Sequence, residues 1–489
     1  MALSQQLKVD WDRDDVLEDV SGLLIQASGQ IRLASPEDSI SAPKGIISQC
    51  SITMLNDNFA YGLLASGIDY YQSPMTFAII ADTFSESTPV TIFTGVIKGP
   101  TESGLTYKDV NTIAFDCRGR EELIVNQRTS TGLATFRNQH DAGVTESEII
   151  EQWLLDAGLS GADYELDTGL FVIPWAWLDD ESPLEDIWQL AASCGGRFYC
   201  DGEGIFRYEN MHRWLDTTHA SSAETLTPDD YQQLKLRYED GELFQSVTIN
   251  VSAREVLGES VIWEADEVYQ VPPGTTKTVT ALFQQPAYSI SAVTYAPVSA
   301  GGQDLSSNVS VSTTSSAQRV DIAITNSHAT KTALMRNFQI AGRAVHGGPS
   351  SEVKVASAAA FWSSRQGRTR RIGNNQYIQT VAQAEALANF LLARHETPRM
   401  FYTMRGLLGK ATRLPGQRIT IDDDNVMASP RDAFIISVNW RYSASGYTQD
   451  IECVDATGLF PYQDTTPGYF KVGTNKLGAA DALKGRVFY

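Results

Sequence analysis

The chain is poor in the residues that usually carry disulfide, metal or acid–base chemistry: five cysteines and six histidines in 489 residues. Cys50, Cys117, Cys194, Cys200 and Cys453 are scattered. Only Cys194 and Cys200 lie close, and no second pair supplies the other half of a zinc site. The pattern reads as buried free thiols in a protein made in a reducing cytoplasm. His140, His212, His219, His328, His346 and His395 never fall at ligand spacing. No run of about 18 apolar residues predicts a membrane-spanning helix. The segment Met1 to Lys8 lacks the basic-then-apolar order of a signal peptide. Positive charge is also scarce, with 38 Lys and Arg against 59 Asp and Glu, a formal net charge of −21. Tight DNA binding needs a basic surface, so that class is disfavoured. An acidic wall still suits a passage along which DNA slides, because it repels rather than holds.

Catalytic signatures are missing as well. There is no G-x-S-x-G elbow, H-E-x-x-H, Walker A, or G-x-G-x-x-G after a strand. Asp422, Asp423 and Asp424 lack the alternating spacing and glycine of a calcium loop. Asp179 and Asp180 precede a helix start, where negative charge is favourable. The expectation is no enzyme, no cofactor and no metal. A carboxylate pair distant in sequence is the one arrangement that local motifs do not report.

What is present is an ordinary globular composition, 42% hydrophobic and 20% charged, long enough for about three to four domains. The most informative stretch runs from Ile378 to Ala456. Thr380 and Gln383 form a capping-box pattern. Behind it Val381, Ala384, Leu387, Ala388, Leu391 and Leu392 share one helical face, Arg394 and His395 suit the helix C-terminus, and Pro398 ends the run. Met400 to Leu408 and Gln417 to Ile421 read as strands around a Leu414-Pro415-Gly416 turn. Phe434, Ile436, Val438, Trp440 and Tyr442 alternate along a strand, and Ser443 to Gly446 turns it into Tyr447 to Val454.

Earlier in the chain, Leu7 to Trp11, Leu23 to Ala27, Ser48 to Leu55, Met75 to Ala81, Val90 to Lys98 and Thr112 to Cys117 are short strands punctuated by turn signals. One such signal is Gly99-Pro100, and Gly95 marks a candidate bulge. Two further capping patterns follow, Thr145 with Glu148, and Ser182-Pro183 with Glu185. Arg197 to Cys200 and Ile205 to Tyr208 form a hairpin across Asp201 to Gly204. From about 258 to 349 the chain is Ser/Thr/Val-rich with period-two alternation, the pattern of a sandwich. "RQGRTRR" then places Arg365, Arg368, Arg370 and Arg371 within seven residues of an acidic chain. That cluster reads either as a solvated loop or as a contact with an acidic face of a neighbouring copy, since Arg suits carboxylate recognition.

The segments "DWDRDD", "SITMLNDNFAYG", "TIFTGVIKG" and "FDCRGREEL" resemble the first barrel of tail-hub proteins of tailed bacteriophages. "SPLEDIWQLAASCGGRFYCDGEGIFRYEN" is similar to that family's second domain. "AQAEALANFLLARHETP", "LPGQRITI" and "FIISVNWRYSASGYTQDIECVDA" resemble its final domain. The resemblance follows the order of features over the whole chain. It implies an α+β, mostly β protein with two related small β-barrels, one α+β domain and an inserted β-sandwich. The expected divisions are 1–126 for the first barrel, 127–217 for the α+β domain, 218–257 with 350–460 for a split second barrel carrying a helix, 258–349 for the sandwich, and 461–489 for an extended tail. The implied function is the structural hub of a phage tail tip or baseplate. Such a hub is a homotrimeric ring that adapts a hexameric tail tube or distal tail protein to a central fibre or spike and forms part of the DNA channel. The C-terminus of a tape-measure protein is a further implied partner. DNA passes without specific binding, and no membrane insertion is implied. The implied location is the virion tail tip, after assembly in the host cytoplasm. A virion-associated cell-wall hydrolase or a carbohydrate-binding adhesin is the alternative class.

Overall fold

The alternating segments at both ends of the chain become strands, and pairing joins them into one sheet rather than two. The computed structural model describes residues 4–33, 47–56, 60–81, 89–105, 110–131, 144–213, 219, 221–238 and 243–456. Strands predominate, and the α-helices among the described residues are Glu121–Val125, Glu146–Asp156, Pro183–Ser193 and Val381–His395. The α+β, mostly β class is therefore observed, while the expected tail at 461–489 lies outside the described residues.

The largest sheet has thirteen strands. From one edge its path is Gln233–Tyr238, Met400–Leu408, Gly446–Asp455, Arg431–Ser443, Leu24–Arg32, Gln49–Leu55, Val110–Gly119, Val90–Leu105, Pro74–Ala81, Ser4–Val9 and Glu18–Asp19. Arg418–Ile421 branches from Arg431–Ser443 and carries Thr225–Leu226. The two expected barrels are corrected by this path, since no sheet closes on itself among the described residues. The cause is the long strand Arg431–Ser443. Its first residues pair with Arg418–Ile421, and on the same edge Ser437 to Ser443 pair antiparallel with Arg32 to Gln26. Those backbone donors and acceptors are thereby spent on joining the halves instead of closing either one.

With the two-residue edge strand Glu18–Asp19 left aside, the other six strands of the N-terminal half and the six of the C-terminal half, numbered by chain order within each half, both run 2-3-6-5-4-1 across the sheet. The halves differ in their first strand, antiparallel at Ser4–Val9 and parallel at Thr225–Leu226. Gly99-Pro100 does not break a strand as expected. It lies within Val90–Leu105 at a register shift between Lys98 and Thr101, with Gly99 at φ +60°. Gly95, the expected bulge, instead allows close approach, because a Cβ there would lie 2.0 Å from the Arg118 carbonyl oxygen.

Period-two burial gives the N-terminal half its core, including Leu7, Val9, Ile52, Met54, Phe77, Phe93 and Phe115. The C-terminal half completes that core with Trp440 and Tyr447. Trp440 stacks on Phe77 with ring centroids 5.2 Å apart. It is paired in register with Gly29, where a Cβ would come within 2.5 Å of the indole.

The helical part packs Ile149, Ile150, Trp153, Leu154, Ile187 and Leu190 around the Arg197–Cys200 and Phe206–Glu209 hairpin. Glu148 Oε2 accepts the Thr145 N–H at 2.7 Å, as the capping pattern requires. Pro183 opens its helix, but the buried Ser182 hydroxyl takes no partner, so that cap does not form. Tyr164–Leu166, absent from the sequence reading, runs parallel to Phe206–Glu209. Residues 254–347 form a five-stranded and a three-stranded sheet over one core that contains Phe338, Ile340, Ile322 and Ile324. Ser246–Val251, Ser351–Ala356 and Thr369–Ile372 form their own three-stranded sheet against Val381–His395, away from the strands with which they were grouped. On that helix Val381 is exposed, and Gln383 is buried in its stead.

Cutting Trp440 back to alanine removes the contact that joins the halves, and Trp440→Ala should cost about 3–5 kcal/mol in urea unfolding. Gly29→Val should cost about 1–3 kcal/mol by overpacking. Because both act on one contact, the double variant should lose less than the sum. Strict additivity would show that the two positions do not share that contact.

Candidate functional site

The arginine segment is only partly the loop that its charge predicts. Arg365 follows the short turn Ala360–Trp362. Its Nη1 donates to the Phe361 carbonyl at 2.7 Å, and its guanidinium lies 4.0 Å from the Phe361 ring centroid. The Arg368 carbonyl accepts the Gln245 N–H at 2.8 Å. Thr369–Ile372 is a strand, parallel to Ser246–Val251, with Arg370 opposite Val247 and Arg371 opposite Thr248. Strand alternation sends Arg371 to the exposed face and puts Arg370 on the same side as the buried Ile372. The four arginines are therefore close in the chain but do not share one direction. The signal for the strand was the short alternation of Thr-Arg-Arg-Ile, obscured by its charge.

The histidines are dispersed. The His395 ring stacks on Phe244 at 4.8 Å, and His219 meets Phe434 edge-on at 5.5 Å. His328 Nδ1 accepts the Thr330 and Lys331 N–H groups at 3.1 Å, which fixes a turn. Burial lowers the His212 pKa. All five cysteines are free and buried, as their spacing implied.

Of the acidic run at 422–424, Asp423 is buried. It accepts the Tyr231 hydroxyl at 2.6 Å and the Asn425 N–H at 2.9 Å, so its role is to hold a loop. Among the described residues Asp10, Asp12 and Asp14 bring carboxylate oxygens within 4.8 Å of one another, a group the sequence reading did not single out. Asp10 is buried, and its oxygens accept the Asp14 and Asp15 N–H groups at 3.2 and 3.1 Å.

Three buried carboxyls stand out, and each links separate segments. Glu146 accepts the Leu170 and Phe171 N–H groups at 2.7 and 2.9 Å and the Tyr208 hydroxyl at 3.0 Å. Asp186 accepts the Tyr377 hydroxyl at 2.5 Å, and burial raises its pKa. Glu121 accepts the Cys200 N–H at 3.3 Å, and burial pushes its carboxyl up to about 7. None of them lines either of two surface clefts. One cleft, of about 640 Å³, lies over the junction of the sheet halves among Gln30, Gln49, Arg405, Asn439, Arg441 and Gln449. The other, of about 590 Å³, lies where Gly446–Asp455 ends. Amide and guanidinium groups dominate the first, which lacks the paired carboxyls of a glycosidase.

Neither a family model nor a curated relative matches the chain. Solved structures do. A tail protein from Neisseria meningitidis MC58 is similar over 94% of this chain and 100% of its own, with a TM-score of 0.50 at 10% identity. The 43 kDa tail protein of prophage MuSo2 from Shewanella oneidensis is similar over 93% and 99% of the two chains, with a TM-score of 0.47 at 12% identity. A type VI secretion component of E. coli, described as structurally similar to T4 tail proteins gp27 and gp5, matches over 96% and 82%, with a TM-score of 0.43 at 11% identity. The likeness to the Neisseria tail protein is in line with the resemblance read in the sequence. At such identities the likeness with the Neisseria protein is one of fold.

Glu121 gives this region a defined pH response. Its folded pKa, about 7, lies above its ordinary 4.5. Its contribution to stability is full below pH 4.5, falls as pH rises between the two values, and is constant above about 7. At about 1.4 kcal/mol per unit the whole effect is on the order of 3 kcal/mol. Glu121→Gln should therefore gain stability relative to the parent between pH 4.5 and 8 in chemical denaturation. Parallel profiles for the two proteins would contradict the assignment.

Proposed function

We propose that this chain is the structural hub of a phage tail tip or baseplate. The observation that carries the reading is the repeated 2-3-6-5-4-1 strand order, fused into one sheet. It supports a symmetry adaptor, since three copies of a chain with two like halves present six similar surfaces to a hexameric tube. The fold likeness to the Neisseria tail protein, which spans nearly the whole chain, supports the same reading.

The junction inside the chain also indicates how copies would meet. In the C-terminal half, Arg431–Ser443 runs past its partner Arg418–Ile421, shifts register between Ile435 and Ser437, and then receives Leu24–Arg32. In the N-terminal half, Val90–Leu105 runs past its partner Pro74–Ala81, shifts register between Lys98 and Thr101, and continues. Among the described residues no strand pairs with that last edge. The counterpart of Leu24–Arg32 is Gln233–Tyr238, which is an edge strand. Pairing the two between copies is a heterologous contact, and in this reading three such contacts close into the ring.

In this reading the strands of 1–126 and, from the split 218–257 with 350–460, Thr225–Leu226, Gln233–Tyr238 and the strands of 400–455 form the ring, 127–217 braces it, 258–349 is an inserted decoration, and 461–489 is an extended tail. The partners are a distal tail or tube protein on one side, a fibre or spike on the other, and the tape-measure C-terminus. The net charge of −21 lets DNA pass without retention. Arg371, on the exposed face of its strand, is the member of the cluster that we place against carboxylates of another protein. The role is structural, with the virion tail as its location and the host cytoplasm as its place of assembly.

Light scattering coupled to gel filtration tests the ring. The expected mass is three times the 53.6 kDa chain, and a species that stays monomeric at micromolar concentration overturns it. Arg371→Glu should weaken the trimer or its capture of a tail partner with circular dichroism unchanged. Full assembly of that variant removes Arg371 from the contact. Peptidoglycan turnover or glycan binding by the purified protein would favour the alternative class.

A further inference from the structure

The internal repeat places matching residues at the joint inside the chain and at the free ends of the sheet. The last strands of the two halves, Val110–Gly119 and Gly446–Asp455, both have ten residues, with Cys117 and Cys453 at the same position. Cys117 faces Cys50, which faces Gly29, while Cys453 faces Tyr402, which faces Leu236. Gly29 and Leu236 therefore correspond. By the same count Ile113 matches Gln449, so their opposite residues, Glu102 and Trp440, correspond as well. Inside the chain the Trp440 indole covers Gly29. A ladder between copies in the same register brings Glu102 to Leu236, and a carboxylate makes a poor cover for an apolar side chain.

Two features of the single chain fit that difference. On the strand that meets Trp440, Ala27 and Ile31 are buried. On its counterpart, Leu234 and Leu236 pack on the core of their own half yet stay half-exposed, and Tyr238 on the same face is 63% exposed. The joint inside the chain also has a second cover, the loop 409–417 between the third and fourth strands of the C-terminal half. Its Ala411 and Leu414 pack into the N-terminal core. The matching loop of the N-terminal half includes residues 60–73. Its Tyr61, Ile68 and Tyr70 turn into their own half, but Leu63 is exposed and Leu64 is 99% exposed. Glu102 holds this loop, accepting the Leu63 N–H at 3.0 Å and the Asn56 and Asn111 amides at 2.9 and 2.6 Å. The two leucines thus stand beside the unpaired edge of Val90–Leu105, next to the residue that corresponds to Trp440.

We infer that Leu63 and Leu64 of one copy cover Leu234 and Leu236 of the next, as Ala411 and Leu414 serve the joint inside each chain. The inference rests on the ring reading and names the side chains that seal its contacts. The occupant is a second copy because the exposed loop and the half-covered strand are the two sides of one repeated joint. A single chain carries them on different halves of its sheet. Burying the leucines gives the contact between copies the apolar centre that a backbone ladder lacks.

Sedimentation equilibrium on the full chain tests this. Leu64→Asp should raise the concentration of half-dissociation by about tenfold or more. Its urea unfolding as a monomer should match the parent, since the side chain is exposed there, and Leu282→Asp, exposed on a distant strand, should leave assembly unchanged. A Leu64→Asp trimer as tight as the parent's overturns the inference and leaves the ring reading standing. If that trimer no longer joins tails, the loop belongs to another tail protein, which also overturns it. A parent that is monomeric overturns the ring reading, and the inference falls with it. Cross-linking adds a second readout, because the five native cysteines are buried. Mild oxidation of Leu64→Cys, Leu236→Cys should join chains into covalent dimers and trimers, about tenfold more than a Leu282→Cys, Leu236→Cys control. Links confined to single chains, or yields no higher than the control, overturn the inference.

Discussion

The close approach of Gly29 to Trp440 is the constraint on which the large sheet depends. Only a residue without a Cβ lets the indole lie across the strand and reach Phe77. The indole then fills the core of the N-terminal half from a strand more than four hundred residues away in the chain. A backbone ladder alone would join the halves weakly, because each bond replaces one to water and contributes about 1 kcal/mol net. Adding a buried aromatic makes the joint part of a core, so that the N-terminal half is incomplete until the last strands arrive. Tyr442 reinforces this by donating its hydroxyl to Gln5 at 2.7 Å.

A second joint is polar, and it explains why segment 375–383 carries so many amides. The Gln379 side chain pairs with the Trp175 backbone in both senses, accepting its N–H at 2.9 Å and donating to its carbonyl at 2.6 Å. Gln383 accepts the Gln379 N–H at 3.1 Å and donates to the Ser193 carbonyl at 3.2 Å. Asn375 reaches the Gln189 carbonyl at 2.9 Å, and Tyr377 is held by Asp186. Buried groups of this kind are worth most when every member is satisfied, and they specify one arrangement where apolar packing would tolerate several. The helix Val381–His395 is thereby locked to Pro183–Ser193, which fixes the helical part against the sheet of Ser246–Val251, Ser351–Ala356 and Thr369–Ile372.

Local chemistry was largely legible in the sequence. Leu414-Pro415-Gly416 turns as expected with Gly416 at φ +88°, the Thr145 cap forms, and the expected hairpin forms from Arg197–Cys200, its second strand starting one residue later with Phe206 opposite Cys200. Partner choice was not. Period-two alternation says that Trp440 faces a core, but not that this core belongs to residues at the other end of the chain, while Val438 on the same strand packs in the core of its own half. Gln383 shows the same limit: its pattern predicted a reach back to Thr380, and tertiary contacts redirected it to Gln379 and Ser193. The arginine run misled because charge density masked a four-residue strand. Asp10, Asp12 and Asp14 were visible as acidic residues, yet their convergence runs through a left-handed backbone at Arg13, φ +60°.

The two edges of the open sheet are managed differently, and the difference has a direction. At one end Glu18–Asp19 covers only Lys8 and Val9, while the Ser21 hydroxyl takes the Leu7 N–H at 2.9 Å and the Val20 N–H takes the Leu7 carbonyl. Short pairing, acidic side chains and a turn therefore blunt that edge against further strands. At the other end Gln233–Tyr238 presents six residues in regular alternation with no bulge against Met400–Leu408. Such an edge is a liability in a monomer and an asset in a protein that must pair. Lys235 and Arg237 on it add positive charge to a strongly acidic chain, which disfavours indiscriminate stacking of like edges and suits a neighbour carrying carboxylates. A sheet closed at one rim and open at the other cannot pair symmetrically with itself through both ends. Any contact of that open edge with a different surface of a copy is heterologous, and the angle set by the Trp440 joint inside each copy then decides whether such contacts close.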